Sequence, residues 1–113
     1  PYHCYCQKTT RLMREKYNSI EIKTTFQSRF GPQEWLTPYT DETLQSLPSE
    51  GVKNLLVICP GFASDCVETL EEINIQGKEI FLKNGGKNFD LIPCLNDNPN
   101  HIELFEKLVN KYI

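Results

Sequence analysis

The sequence has no apolar run that approaches the roughly 18 residues of a membrane-spanning helix, and no basic segment followed by an apolar one at its N-terminus. We therefore expect neither a transmembrane span nor an export signal. Basic residues are also few, because 12 Lys and Arg stand against 15 Asp and Glu, for a net charge of −3. Such a chain lacks the basic field that holds nucleic acid by its phosphates, so nucleic-acid binding is disfavoured.

The five cysteines are too few and too scattered for a secreted disulfide scaffold, and their number is odd. We therefore expect a reducing compartment and a cytoplasmic location. Cys4 and Cys6 are separated by one residue, whereas common zinc and redox motifs have two residues between their cysteines. This spacing does not favour a metal site there.

Apolar periodicity and breaker residues predict an alternation of helices and strands. Helices are predicted over residues 7–17, 40–51, 64–82 and 98–113, and strands over residues 20–26, 52–59 and 89–94. This order is typical of one α/β domain with a flavodoxin- or Rossmann-like parallel sheet flanked by helices. The continuous apolar run at 52–59 predicts a strand that is buried on both faces. Because such a fold normally starts with a strand, we expect a further strand upstream of Pro1.

A loop with Gly31, Pro32 and Pro38 follows the first predicted strand and carries Trp35. Loops at strand ends of α/β sheets often bind ligands, so Trp35 is a candidate for a binding site. The alternative is that Trp35 fills the core.

The predicted helix after Pro60 and Gly61 carries a line of carboxylates. At 100° per residue, Asp65, Glu68 and Glu72 lie within about 60° of one another. One interpretation is structural, with Asp65 capping the helix and Glu68 completing a capping box. The other is a carboxylate track that receives protons or a hydrated divalent cation.

Three segments of the sequence resemble the ferrochelatases, the enzymes that insert ferrous iron into protoporphyrin IX to make protoheme. The segments are PGFASDCVETLEEI at 60–73, FQSRFGPQEWLTPYTDE at 26–42 and CLND at 94–97. Together the similarity runs through nearly the whole chain. The resemblance implies a chelatase-like fold, protoporphyrin IX and Fe²⁺ as substrates, and no required cofactor.

The resemblance also implies roles for particular residues. Glu68 would be the catalytic acid facing the porphyrin. Asp65 and Glu72 would continue from it as the acidic line for the metal, on a helix with a π-type turn. The residues that would line the porphyrin cleft are Phe26, Ser28 and Trp35.

Other features of the family are not found in these residues. The family's catalytic histidine lies in an upstream strand, and neither His3 nor His101 has that context. Residues 1–113 are therefore interpreted as the C-terminal chelatase domain, whose partner would be the upstream half of the same polypeptide. Cys66 occupies a position that is histidine in some relatives.

Three further expectations complete the prediction. Some relatives bind a [2Fe-2S] cluster through cysteines near the C-terminus, but we expect none here, although Cys4 and Cys6 leave this open. The hydrophobic substrate and product suggest peripheral contact with a membrane. A non-catalytic porphyrin- or metal-binding module of the same fold is the alternative function.

Overall fold

The computed structural model describes all 113 residues, from Pro1 to Ile113. Helices and strands alternate along the chain, which confirms the predicted α/β class. In chain order the elements are α1 (Tyr2–Lys16), α2 (Thr40–Ser46), a 3₁₀ turn (Leu47–Glu50), β1 (Asn54–Val57), a π-helix (Glu68–Gly77), α3 (Lys78–Lys83), β2 (Asn88–Leu91) and α4 (Pro99–Val109).

The two strands form a parallel sheet, as the chain order predicts. Leu55 lies opposite Phe89 and Val57 lies opposite Leu91. The π-helix and α3 make the crossover between the strands. Both strands are shorter than the predicted ranges 52–59 and 89–94. At the end of β2 one reason is Pro93, which has no amide hydrogen with which to continue the ladder.

The predicted strand over residues 20–26 is wrong. This segment makes one isolated parallel bridge, between Phe26 and Tyr39, and is otherwise free of strand pairing. Its alternating β-branched residues favour an extended backbone, but a strand also needs a neighbour to share its hydrogen bonds. No strand of this chain lies beside it.

One face of the sheet packs against helices and forms the core. Phe81 of α3 is fully buried, and its ring centroid lies 6.0 Å from that of Phe89 on β2. Leu55 and Val57 of β1 pack against the same cluster. The buried members of the core are Leu44, Leu47, Cys59, Ile73, Phe81 and Phe89.

The opposite face of the sheet is open to solvent. Leu56 is 61% exposed and Ile58 is 51% exposed. The prediction that residues 52–59 are buried on both faces is therefore wrong for this chain, because helices cover only one side. The apolar stripe predicted on the last helix is exposed as well, at Ile102, Phe105, Leu108, Val109 and Tyr112.

Helix ends follow the predicted signals more closely. Gly51 closes the helical region that begins at Thr40, with φ of 96°, a left-handed conformation that glycine adopts without steric cost. Asn98 caps α4 by accepting a hydrogen bond from the Asn100 amide at 3.0 Å. By contrast, α1 begins at Tyr2, earlier than the predicted residue 7. No helix combines the length and the apolar character that crossing a bilayer requires.

The close approach of Gly86 to Phe81 gives a test of this packing. A methyl group added at Gly86 would overlap the buried Phe81 ring, whereas one added at Gly61 would meet only the Tyr2 hydroxyl at 3.6 Å. We expect Gly86→Ala in the full-length protein to lower the free energy of unfolding by about 1–3 kcal/mol through overpacking. Gly61→Ala should leave it nearly unchanged, as measured by denaturant unfolding. Equal effects of the two substitutions would contradict the packing of α3 on β2.

Candidate active site on the π-helix

The acidic helix is a π-helix over the ten residues Glu68–Gly77. Its backbone hydrogen bonds span five residues instead of four, so an α-helical period does not describe which side chains share a face. The π-type turn that the resemblance implies is therefore confirmed. The alignment of Asp65, Glu68 and Glu72 must instead be judged from the contacts that each carboxylate makes.

Glu72 joins the π-helix to the start of the loop that carries Trp35. Its Oε1 accepts a hydrogen bond from the Ser28 amide at 2.6 Å, and its Oε2 accepts one from the Ser28 hydroxyl at 2.6 Å. The Gln27 side-chain amide donates to Glu72 Oε2 at 3.3 Å and to the Glu68 carbonyl at 2.8 Å. Four hydrogen bonds thus attach residues 27 and 28 to the π-helix.

The same segment holds Trp35. The indole Nε1–H donates to the Gln27 carbonyl at 3.0 Å, and the side chain is only half-buried. Trp35 is absent from the buried core cluster of this chain, which favours the binding role over the alternative that it fills the core. We call residues 27–38 the aromatic loop.

The base of the aromatic loop is closed by main-chain hydrogen bonds. The Phe26 amide donates to the Pro38 carbonyl at 2.9 Å, and the Thr40 amide donates to the Phe26 carbonyl at 3.1 Å. Arg29 of the loop places its guanidinium 4.2 Å from the ring centroid of Tyr39, the residue that follows the loop, a distance typical of cation–π contacts. The Phe26 side chain is buried at this base and stacks on the His3 ring at 5.7 Å.

Asp65 is held by a different part of the chain. Its Oδ2 accepts a hydrogen bond from the Asn96 side-chain amide at 2.9 Å. Its Oδ1 accepts from the Thr69 hydroxyl at 3.0 Å and from the Cys94 amide at 3.3 Å. The predicted capping box is wrong, because the Asp65 amide donates to Asn96 rather than to a glutamate and no side chain caps the π-helix.

These donors favour the charged form of Asp65. The Asn96 amide lowers the pKa of Asp65 most, and Cys94 and Thr69 act in the same direction. Because this pKa is lower in the folded state, the stabilisation is present above the ordinary carboxyl pKa of about 4. It is lost as the pH falls through the folded-state value.

Glu68 differs from its two neighbours, because its carboxylate is exposed and accepts no hydrogen bond from another segment. The Cys66 thiol lowers the pKa of Glu68, so the side chain is charged near neutral pH. Nowhere in the chain do three or more His, Cys, Asp or Glu side chains converge as metal ligands. The three carboxylates of Asp65, Glu68 and Glu72 therefore do not converge on one point and do not form a single chelating site.

Sequence reasoning missed two residues of this region. Gln27 bridges the aromatic loop and the π-helix, and Asn96 pairs with Asp65. Both lie inside the segments that carry the family resemblance. The positions of Gln27 and Asn96 in the sequence give no signal of these contacts, because each residue contacts a partner more than 30 positions away.

Comparison with known proteins identifies the family. A family model described as Ferrochelatase matches residues 1–113, the whole chain. The chain belongs to the ferrochelatase family.

Curated ferrochelatases from several bacteria resemble the chain over nearly all of its length. It is 55% identical to the ferrochelatase of Marinobacter nauticus over 96% of this chain and 30% of that protein. It is 56% identical to that of Agrobacterium fabrum, over 98% of this chain and 33% of that protein. The chain thus spans about a third of the length of the curated ferrochelatases it matches.

The contact between Glu72 and Ser28 predicts how the aromatic loop responds to substitution. In the full-length protein we expect Glu72→Gln and Ser28→Ala each to loosen the loop, because each removes part of the hydrogen bonding to the Glu72 carboxylate, and such bonds stabilise by about 1.5–3 kcal/mol. The measurement is ¹⁹F NMR of 5-fluorotryptophan, with the Trp35 resonance assigned by Trp35→Phe.

Both substitutions should move the Trp35 resonance away from its wild-type position, and Glu72→Gln should move it further, because Glu72 accepts three of the four hydrogen bonds. Glu71→Gln is the matched control, since Glu71 is an exposed residue of the same helix. An unmoved resonance in Glu72→Gln would contradict the docking of the loop.

Proposed function

We propose that this chain is part of a ferrochelatase that inserts Fe²⁺ into protoporphyrin IX and releases two protons to give protoheme. Residues 1–113 are its C-terminal chelatase domain and supply the acidic π-helix and part of the porphyrin cleft. The upstream half of the same polypeptide supplies the remainder, including the histidine-bearing strand. Protoporphyrin IX and Fe²⁺ are substrates, and no cofactor is required.

The observation that carries this proposal is the docking of the aromatic loop onto the π-helix. The hydrogen bonds from Ser28 to Glu72 attach the loop that carries Trp35 to the helix that carries Glu68. A flat apolar macrocycle needs an aromatic wall, and its pyrrole protons need a base beside that wall. An aromatic loop attached to an acidic helix supplies both.

Glu68 is the catalytic residue in this proposal. It is charged and exposed, and no other segment of the chain donates a hydrogen bond to it, so it can accept a pyrrole proton. Covering by a porphyrin would remove water from the carboxylate and raise its pKa, which makes it a better base. Asp65 and Glu72 continue the acidic line on either side of it for the incoming Fe²⁺.

Phe26, Ser28 and Trp35 form the cleft side of the site in different ways. Trp35 supplies the accessible aromatic surface. Ser28 fixes the loop through Glu72, and the buried Phe26 anchors the loop base. The Glu72 carboxylate already accepts three hydrogen bonds, so an ion passing along the line would have to replace some of them.

We propose a cytoplasmic enzyme, because the odd and scattered set of cysteines favours a reducing compartment. In this proposal it contacts the membrane peripherally, because protoporphyrin and protoheme have large apolar surfaces. The expectation that no [2Fe-2S] cluster is bound stays a prediction.

A non-catalytic porphyrin- or metal-binding module is the second candidate. It is favoured by the positions of the two histidines. His3 stacks on Phe26, and His101 is buried with Nδ1 bound to the Asn96 carbonyl. Neither is placed as a second base beside Glu68. If the upstream half of the polypeptide contributes a histidine to the site, the enzyme is favoured over the non-catalytic module.

Substitution of Glu68 tests the catalytic assignment. In the full-length protein we expect Glu68→Gln to lower kcat for iron insertion by at least about 100-fold, since the near-isosteric amide keeps the shape and loses the base. Glu71→Gln is the control and should remain close to wild type. The assay follows protoheme formation under anaerobic conditions. Wild-type turnover by Glu68→Gln would remove Glu68 from the mechanism.

Substitution of Trp35 tests the cleft wall. Trp35→Ala should weaken porphyrin binding by about tenfold, because it removes an aromatic contact surface, with little change in Tm. Trp35→Phe keeps one aromatic ring and loses the second ring of the indole with its hydrogen bond to Gln27, so it should retain more of the affinity than Trp35→Ala. Porphyrin affinity is measured by fluorescence titration. A collapse in Tm with unchanged affinity would assign Trp35 to stability alone.

A further inference from the structure

Asn96 makes a two-point pair with Asp65. Its Oδ1 accepts a hydrogen bond from the Asp65 amide at 2.8 Å, and its Nδ2 donates to Asp65 Oδ2 at 2.9 Å. The Asn96 amide also donates to the Ala63 carbonyl at 3.0 Å. Asn96 thus holds both the backbone and the carboxylate of Asp65, and the bonds from Thr69 and Cys94 to Oδ1 fix the orientation of that carboxylate.

The backbone of Asn96 is held from its other side by α4. The residue has φ of 49°, a left-handed conformation that asparagine tolerates better than most residues. His101 Nδ1 lies 2.8 Å from the Asn96 carbonyl. Because that oxygen can only accept, Nδ1 carries the proton. His101 is itself buried and its ring packs on Phe105.

Asp65 transmits this attachment to the start of the π-helix. Its Oδ1 accepts from Thr69, whose side chain is fully buried and whose hydroxyl accepts a hydrogen bond from the Cys66 amide at 3.0 Å. The Thr69 and Leu70 amides donate to the Cys66 carbonyl at 3.1 and 2.8 Å. Asp65 and Thr69 thus flank the turn that contains Glu68.

We propose that Asn96 is a positioning residue, which through its pair with Asp65 fixes the first turn of the π-helix and so the place of Glu68. The inference rests on the proposed function for its consequence in catalysis. Its structural part stands alone, because the pair orders residues 66–70 whether or not the protein turns over. Asn96 does not touch the porphyrin and acts only through Asp65.

An exchange of the two side chains tests the proposal. In Asn96→Asp two carboxylates face each other, so the donor to Asp65 Oδ2 is lost. In Asp65→Asn the one carbonyl oxygen can accept either from Asn96 or from Thr69 and Cys94, so at least one of these contacts is lost. In the double variant Asp65→Asn/Asn96→Asp, the new amide at position 65 donates to the new carboxylate at position 96, and its carbonyl oxygen can still accept from Thr69 and Cys94. The exchange restores the geometry and keeps one negative charge in the pair. Asn88→Ala is the control, since it removes an exposed asparagine pair elsewhere.

Two readouts are taken on each full-length variant. Hydrogen–deuterium exchange of the peptide covering residues 66–70 reports the order of the helix start, and steady-state kinetics report kcat and the porphyrin KM separately. We expect both single variants to exchange faster in this peptide. Their kcat should fall by at least about tenfold, the loss expected from hydrogen bonds to a charged group, with KM nearly unchanged. The double variant should recover slow exchange. The catalytic consequence is read from Asn96→Asp, which leaves the Asp65 carboxylate in place.

Each result decides the matter. Wild-type exchange in both single variants, or fast exchange in the double variant, would overturn the positioning role. If a single variant fails to fold, the comparison of the other single variant with the double variant carries the same decision. Absence of iron insertion by the wild-type protein would count against the proposed function only, because the exchange data still test the pair.

Discussion

The carboxylate of Glu72 and its hydrogen bonds to Ser28 are the interaction on which the candidate site depends. Two bonds of 2.6 Å join residues that are 44 positions apart. Charge-assisted hydrogen bonds of this kind are the stronger ones, and their two-point geometry fixes orientation as well as distance. Without them, only the Gln27 side chain would still attach the aromatic loop to the π-helix.

The π-helix is therefore held at two places by two different segments. Asn96 holds its start through Asp65, and Ser28 holds its middle through Glu72. Glu68 lies between these anchors and is the one carboxylate of the three that accepts no hydrogen bond from a distant segment, its donor being the nearby Cys66 thiol. An ionised group kept exposed between two fixed neighbours is suited to exchange protons or ions, whereas the flanking carboxylates mainly preserve its position.

Local signals in the sequence predicted local structure. The α/β order, the helix end at Gly51 and the cap at Asn98 follow from propensity and turn chemistry, which depend on a few neighbouring residues. The strand at 20–26 and the two-sided burial of 52–59 could not be predicted in the same way, because both require partners elsewhere in space. Leu56 has the sequence character of a core residue and yet is 61% exposed, since no helix of this chain covers its face.

The residues of the candidate site also differ in whether local sequence signals predict them. Glu68, Asp65, Glu72 and Trp35 were found from a helix pattern, a loop and a family resemblance. The partners Gln27 and Asn96 were missed, because an asparagine or glutamine in a loop has no sequence signal for its distant hydrogen-bond partner. The capping box failed for a related reason. The Asp65 amide and carboxylate are taken by Asn96 across the loop, which the local helix pattern cannot reveal.

The central claim is that the Glu72–Ser28 contact places the aromatic loop as one wall of a porphyrin site beside Glu68. A crystal structure of the full-length protein with protoporphyrin bound, in the absence of iron, tests it most directly. The account predicts a macrocycle in contact with Trp35 and the Glu68 carboxylate, with both Ser28 hydrogen bonds to Glu72 intact. A macrocycle bound away from the π-helix, or one seated on Trp35 while Glu72 no longer contacts Ser28, would contradict it.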